Sequence, residues 1–253
     1  MQNLQRYFIE VRYNGSGISG FQVQENAVTV QGELEKALSI YTRKRIVLTG
    51  SSRTDGGVHA RQNFFHFDWE GLRVGDWEYH LNAILPDGIA VMGIYAMPVA
   101  AHCRFDAIGR AYQYTLYRHK DPFIRGWGWK YPYPMHEGLM KEAAAMVIGV
   151  HNFQCFCKRG VQVNNFNCTI ESSAWEMQEN QWVYRVRGNR FLRGMVRALV
   201  GTMVRVGRGE LGLQDWGAMI NGEGENGVKW LAPAEGLVLD RVIFPADWNW
   251  ERL

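Results

Sequence analysis

Strand-like and helix-like segments follow one another in a fixed rhythm along this 253-residue chain, and that rhythm limits what it can fold into. The segment "RYFIEVRYNG" alternates in strand fashion and ends in a turn at Asn14-Gly15. A loop then leads to residues 31–41. Leu34, Leu38 and Tyr41 share one helical face there, with Glu33 and Glu35 near the positive N-terminal end. "RIVLTGS" predicts a strand running straight into a Ser-Arg-Thr-Asp turn, and "NFFHFDW" predicts another strand. "GDWEYHLNAIL" predicts a short helix stopped by Pro86-Asp87-Gly88, and "IAVMGIYAMPV" a strand. The first part of the chain therefore reads β-α-β-β-α-β.

The rest repeats this order loosely. "RAYQYTLYRH" is an alternating, tyrosine-rich strand, and "DPFIRGWGWKYPYP" a turn-rich aromatic linker. "MHEGLMKEAAAMVIG" predicts a helix. "TIESSAWEMQ" and "QWVYRVRG" predict a hairpin around Glu179-Asn180. "RFLRGMVRALVGTMVRVG" predicts a helix striped by Leu192, Met195, Val196, Leu199, Val200 and Met203, and "LVLDRVIFP" a final strand. The expectation is an α+β protein of two similar halves, residues 1–105 and 106–253. Their antiparallel sheets would join into one extended sheet with a cleft between the halves.

Composition bounds the rest. Hydrophobic residues make up 47% and charged residues 21%, enough for a sizeable core in a soluble fold. No apolar stretch approaches the roughly 18–20 residues of a membrane span. The N-terminus lacks a basic head followed by an apolar block and reads as a first strand. Cys103, Cys155, Cys157 and Cys168 form no C-x-x-C pair and no zinc-ligand spacing, which predicts reduced, mostly buried thiols in a cytoplasmic protein. Net charge is only +3. However, Arg185, Arg187, Arg190, Arg193, Arg197, Arg205 and Arg208 fall in one span without an acid, and Arg43, Lys44 and Arg45 form a second knot. Clustered guanidinium forks suit phosphate and point to nucleic acid; a solvated face with scattered ion pairs is the plainer alternative.

The segment "TGSSRTDGGVHARQNFFHFD", residues 49–68, carries the chemistry. Gly56 and Gly57 open backbone conformations closed to other residues, while the serines and Thr54 can fix the turn locally. The turn presents one carboxylate, Asp55, with Arg53 two residues before it. By itself such an Asp is ordinarily a turn-capping residue. His59 and His66 lie seven residues apart in a strand, on opposite faces, which favours structural roles over metal ligation.

Taken together, "SSRTDGGVHA", "YNGSGISGFQVQENAVTVQGELEKAL", "LNAILPDGIAV", "HCRFDAIGRAYQYTLY", "IGVHNFQCF", "FLRGMVRALVGTMVRVGRG" and "APAEGLVL" resemble, in order and along nearly the whole chain, the motifs of the A family of tRNA pseudouridine synthases. That family acts on the anticodon stem-loop. Ser52 stands where the family usually has Gly, Gly56 where Ala or Lys is usual, and Cys103 where Ala is usual.

The resemblance implies a catalytic Asp55, acting on ribose C1′ as a nucleophile or on the 2′-proton as a base. It implies Arg197 as the salt-bridge partner of Asp55 and Tyr112 as the ring that stacks on the uracil. Leu237 would line the pocket, and Arg53 would hold the flipped nucleotide or fill its place. Arg193 would contact RNA phosphate, with the arginine-rich segments tracking the backbone. No metal or other cofactor is required, tRNA is the partner, and a homodimer is expected. A paralogue acting on another RNA, a non-catalytic RNA-binding module and a metal-dependent nuclease remain the alternatives. The last would need several converging acids, yet after Asp55 the next acid is Asp68.

Overall fold

The computed structural model describes residues 4–70, 76–158, 160, 165–178, 180–224, 227–248 and 250–252. The chain packs as two compact units, Met1–Ile108 with Leu239–Leu253, and Gly109–Val238. In chain order the first unit holds β1 (Gln5–Tyr13), α1 (Val30–Thr42), β2 (Thr49–Gly50), β3 (His59–Trp69), α2 (Trp77–Ile84) and β4 (Ile89–Met97). The second holds β5 (Gly109–Tyr117), β6 (Trp129–Lys130), α3 (Glu137–Met146), β7 (Gly149–Asn152), β8 (Asn167–Met177), β9 (Gln181–Gly188), α4 (Met195–Gly207) and α5 (Leu213–Ile220). β10 (Leu237–Ile243) and β11 (Glu251–Arg252) follow. The α+β class and the β-α-β-β-α-β order of the first unit are as the sequence predicts. The sequence reading gave everything after residue 105 to the second half, but residues 239–253 pack with the first unit. No helix among the described residues is long and apolar enough to cross a membrane.

In the first unit the strands run β11-β4-β1-β3-β10, with β2 on β3. β1 pairs antiparallel with β3 (Tyr7 opposite Phe67, Phe8 opposite His66) and with β4. Both faces are covered. Tyr7 and Phe67 lie 6.4 and 5.8 Å from Trp77 of α2. On the other face Phe8 meets Phe244, Trp248 and Trp250, each at 5.9 Å between ring centres. Two covered faces explain why "NFFHF" is apolar almost throughout rather than alternating. They also explain why the C-terminal segment belongs here, since its three rings complete the layer under β1 and β3.

Helix α1 starts one residue earlier than its pattern predicts because the Thr29 hydroxyl accepts the Gly32 N–H. Leu34 and Leu38 are buried, while Tyr41 is half-buried at the end of the stripe. Glu35 does not act as a dipole partner: its carboxylate accepts the Leu48 N–H at 3.0 Å. That bond takes the place of a strand ladder, so the strand expected over "RIVLTGS" shrinks to Thr49–Gly50.

In the second unit the strands run β5-β9-β8-β7, with β6 parallel to β5. β8 and β9 form the expected hairpin; of its expected tip, Glu179 lies outside the described residues. Trp216 of α5 is fully buried and donates to the Ala143 carbonyl of α3, fixing one helix on the other. The helix expected over 190–207 starts only at Met195. Gly194 sits at φ 76°, a left-handed conformation that a right-handed helix cannot continue through. Sequence periodicity carried the stripe one turn too far because Leu192 is buried even though it lies outside the helix. The sequence reading did not pick out the strand β11 or the helix α5.

The first unit also buries His66. Its Nδ1 accepts the Cys103 N–H at 3.3 Å, and the Cys103 Sγ lies 3.2 Å away. Burial and the positive charge of Arg6 push its pKa down to about 4. The native ring therefore stays neutral where the unfolded chain, titrating near 6.5, takes up a proton. Stability is full above pH ~6.5 and falls as the pH drops toward 4, by at most about 3 kcal/mol. Urea unfolding midpoints measured at pH 7.5 and pH 5 should show this loss, and His66→Asn should reduce it. An equal loss in the variant would assign the slope to other groups.

Candidate active site

The Ser-Arg-Thr-Asp turn is held from three sides. Asn63 of β3, fully buried, uses its side-chain oxygen to accept the Ser52 N–H at 3.2 Å and its amide nitrogen to donate to the Ser52 carbonyl at 2.7 Å. The same nitrogen reaches the Tyr13 hydroxyl at 3.1 Å, and that hydroxyl bonds Thr54 Oγ1 at 2.8 Å. From the third side Phe21 N–H donates to the Thr54 carbonyl, and Gly57 N–H to the Ile18 carbonyl, both at 3.2 Å. The turn closes locally with Val58 N–H on the Asp55 carbonyl.

Of the two glycines singled out in the sequence, Gly57 sits at φ 79° and needs to be glycine, whereas Gly56 has no positive φ. Ser52 needs none either, so a serine is compatible with this turn. Arg53 is exposed and Asp55 half-buried, two residues apart on one clamped backbone.

His59 and His66 have structural partners. His59 is fully buried, and its Nδ1 accepts the Gly15 N–H at 3.0 Å. Among the described residues no three His, Cys, Asp or Glu are grouped to hold a metal ion. All four cysteines are buried free thiols, and burial pushes Cys168 up to about 11.

The second unit carries the other sequence-predicted residues. Helix α4 is buried nearly all round, and only Arg197 and Arg205 among its thirteen residues escape full burial. Arg197 is tied down at the helix flank. Its Nε donates to the Ala232 carbonyl at 2.8 Å, and Ala232 N–H returns a bond to the Arg197 carbonyl at 3.1 Å. Tyr112 and Tyr114 share a face of β5 but not a fate. Tyr114 is fully buried, with its hydroxyl on the Pro233 carbonyl, and it feels the charge of Arg197. Tyr112 is half-buried and meets Phe191 edge-on at 5.1 Å. Leu237 is buried at the start of β10, directly after the 3-10 turn Ala234–Gly236 that packs on Tyr114. Arg193 is exposed and lies outside α4, before Gly194; it does not sit one helical turn below Arg197 as the sequence suggests.

The arginine-rich span is less bare than it reads. Arg185 pairs with Glu176 and Arg187 with Glu171 across the β8–β9 hairpin, and Arg205 and Arg208 both reach Glu210 at 2.8 Å. Cross-strand neighbours supply the acids that the span itself lacks. Arg43, Lys44 and Arg45 are exposed, with Lys44 over the Trp69 ring at 4.9 Å.

A family model described as tRNA pseudouridine synthase matches residues 143–245. The tRNA pseudouridine synthase A of Parabacteroides distasonis is 38% identical over 247 residues, 96% of this chain and 98% of its own length. The chain belongs to the tRNA pseudouridine synthase family. Among other family members, the tRNA pseudouridine synthases A of Staphylococcus aureus strain Newman and of Azobacteroides pseudotrichonymphae are each 36% identical. Over these matches, 94% and 98% of this chain and 90% and 98% of the relatives are covered.

Two residues of this family member escaped the sequence reading. Asn63 has no motif of its own: it follows Arg61 and Gln62 as the third polar residue in a row, and only its full burial sets it apart. Phe191, which supports Tyr112, reads as one more core aromatic. Truncating Asn63 to Ala removes its hydrogen bonds to both Ser52 backbone groups and one of the partners of the Tyr13 hydroxyl, which keeps Thr54. The expected loss is about 2 kcal/mol or more of unfolding free energy, with a fall in catalytic rate from a loosened turn. Urea denaturation and steady-state kinetics on the variant would check both; unchanged stability would show that the clamp is dispensable.

Proposed function

We propose that this chain isomerises uridine to pseudouridine in the anticodon stem-loop of tRNA, with Asp55 as the single catalytic carboxylate. The observation that carries the reading is the clamped turn. A family member whose one carboxylate in this turn rides on a backbone fixed by Asn63, Tyr13 and Phe21 has that carboxylate positioned before substrate arrives.

The reaction breaks the bond between ribose C1′ and uracil N1. The base turns, C5 bonds to C1′, C5 gives up its proton and N1 gains one. Asp55 assists at C1′ as nucleophile or at the 2′-proton as base. Arg197, whose Nε and backbone are already held by Ala232, pairs with Asp55 and keeps it ionised in a closed site. Tyr112, half-buried beside Phe191 while Tyr114 is committed to the core, stacks on the uracil, and Leu237 lines the pocket. Arg53, exposed on the turn, engages the nucleotide taken out of the stack, and Arg193 contacts backbone phosphate. The working form on this reading is a cytoplasmic homodimer bound to tRNA, with no cofactor.

Tritium release from transcripts labelled at uracil C5 tests the reading, because the new bond must expel that hydrogen. The wild-type protein should release tritium. Asp55→Asn should bind tRNA with near-normal affinity and release none, and Arg197→Ala should lose orders of magnitude in rate. Substantial turnover by purified Asp55→Asn would remove Asp55 as the catalyst. Light scattering that gave a monomer at working concentration would remove the dimer.

A further inference from the structure

The first unit contains a cavity of about 340 Å³ whose lining includes Gln22, Gly50, Arg53, His102, Arg104 and Phe105. Among the described residues, its lining includes two guanidinium groups and no carboxylate. Phe105 is 74% exposed. A singly exposed ring is ordinary; one built into a braced wall is not.

The bracing is specific. His102 N–H donates to the Asp106 carboxylate at 2.7 Å, and Asp106 N–H returns to the His102 carbonyl at 3.1 Å. The His102 Nδ1 accepts the N–H groups of both Arg104 and Phe105, at 3.2 and 3.3 Å. The His102 ring backs the Phe105 ring at 4.1 Å and itself rests edge-on against buried His66 at 4.5 Å. Residues 102–106 thus form a prefolded turn that holds one aromatic face toward solvent. The Arg104 guanidinium lies over the Phe105 ring, 5.6 Å from its centre, so a base would have to share or displace that contact, and Arg53 contributes to the same cavity wall. Gly50, also in the lining, lies too close to Phe21 for any side chain.

We propose that this cavity receives a second unstacked nucleotide of the RNA, close in the strand to the target uridine, with its base on Phe105 and its phosphate between Arg53 and Arg104. The proposal rests on the reading that this chain acts on tRNA, and it adds a subsite to it. A flat π face next to two guanidiniums matches a base with its phosphate: stacking accepts any base, and guanidinium forks suit phosphate oxygens. The volume falls in the range of small-ligand pockets. Arg53 ties the cavity to the reaction, because it stands two residues from Asp55 on the same clamped turn. An occupant of the cavity would hold the strand at a fixed offset from the carboxylate.

The test is binding of a tRNA transcript, by fluorescence anisotropy over a range of salt, to wild type, Phe105→Ala, Phe105→Trp, Phe105→Leu and Arg104→Gln. Tritium release is measured in parallel. Phe105→Ala should weaken binding about tenfold without changing the salt slope, Trp should restore affinity and Leu should not. Arg104→Gln should lower the magnitude of the salt slope by about one. Phe105 is mostly exposed, so its truncation should leave the thermal midpoint nearly unchanged.

Binding by Phe105→Ala within twofold of wild type would overturn the proposal. So would rescue by Leu as complete as by Trp, which would mean general apolar packing, as for a protein partner. If wild type releases tritium while the Phe105 series binds alike, the subsite fails and the activity stands. If the series behaves as expected but no tritium is released, the activity reading fails and the subsite stands. Absence of tRNA binding by wild type overturns both.

Discussion

One buried amide organises the Ser-Arg-Thr-Asp turn of the first unit. Asn63 lies in β3 among phenylalanines, where an unpaired amide would cost on the order of 1–3 kcal/mol. It pairs completely, with both backbone groups of Ser52 and with Tyr13 on the neighbouring strand β1. The β1–β3 pairing therefore brings more than sheet hydrogen bonds. It sets Tyr13 and Asn63 beside each other so that, with Thr54, they capture a loop with hardly any secondary structure of its own. A turn fixed this way needs no strand to hold it, which is why β2 can be two residues long.

The second unit meets the same demand with burial in place of a polar network. Eleven of the thirteen residues of α4 are buried, so the helix has little freedom to rotate or slide. Arg197 and Arg205 leave this packed cylinder as fixed outgrowths, and each is engaged further, Arg197 by Ala232 and Arg205 by Glu210. Buried helices of this kind place a charged group accurately because moving it would mean repacking the core. The tyrosine pair on β5 follows a related logic. Burial and the Pro233 carbonyl commit Tyr114 to structure, and Tyr112, two residues nearer the strand's start, keeps a partly open ring.

Charge behaves differently from packing. The arginines between 185 and 208 look uncompensated in the sequence because their partners are distant in the chain or just beyond the span. Glu171 and Glu176 arrive by strand pairing, Glu210 by the turn after α4. What remains as a basic surface is smaller than the count suggests. Arg53, Arg104 and Arg193 are exposed.

Much of the fold was legible from residue order alone. Alternating strands, amphipathic helices and turn residues depend on neighbours within about one helical turn or strand, and these placed nearly every large element. Asp55, Arg197, Tyr112 and Leu237 come from the ordered motifs alone, as the site residues that the resemblance implies. Three things were decided only by the tertiary structure. The helix expected from 190 begins at Met195, because Leu192 is buried without being helical and Gly194 takes a left-handed turn. The last fifteen residues join the first unit, because Phe244, Trp248 and Trp250 cover the face of β1 that carries Phe8. Asn63 and the braced Phe105 have their roles through partners reached across the sheet or around a turn. Local pattern records what a segment prefers to be, whereas burial, hydrogen-bond partners and charge compensation depend on which distant residues arrive beside it, and only the folded chain decides that.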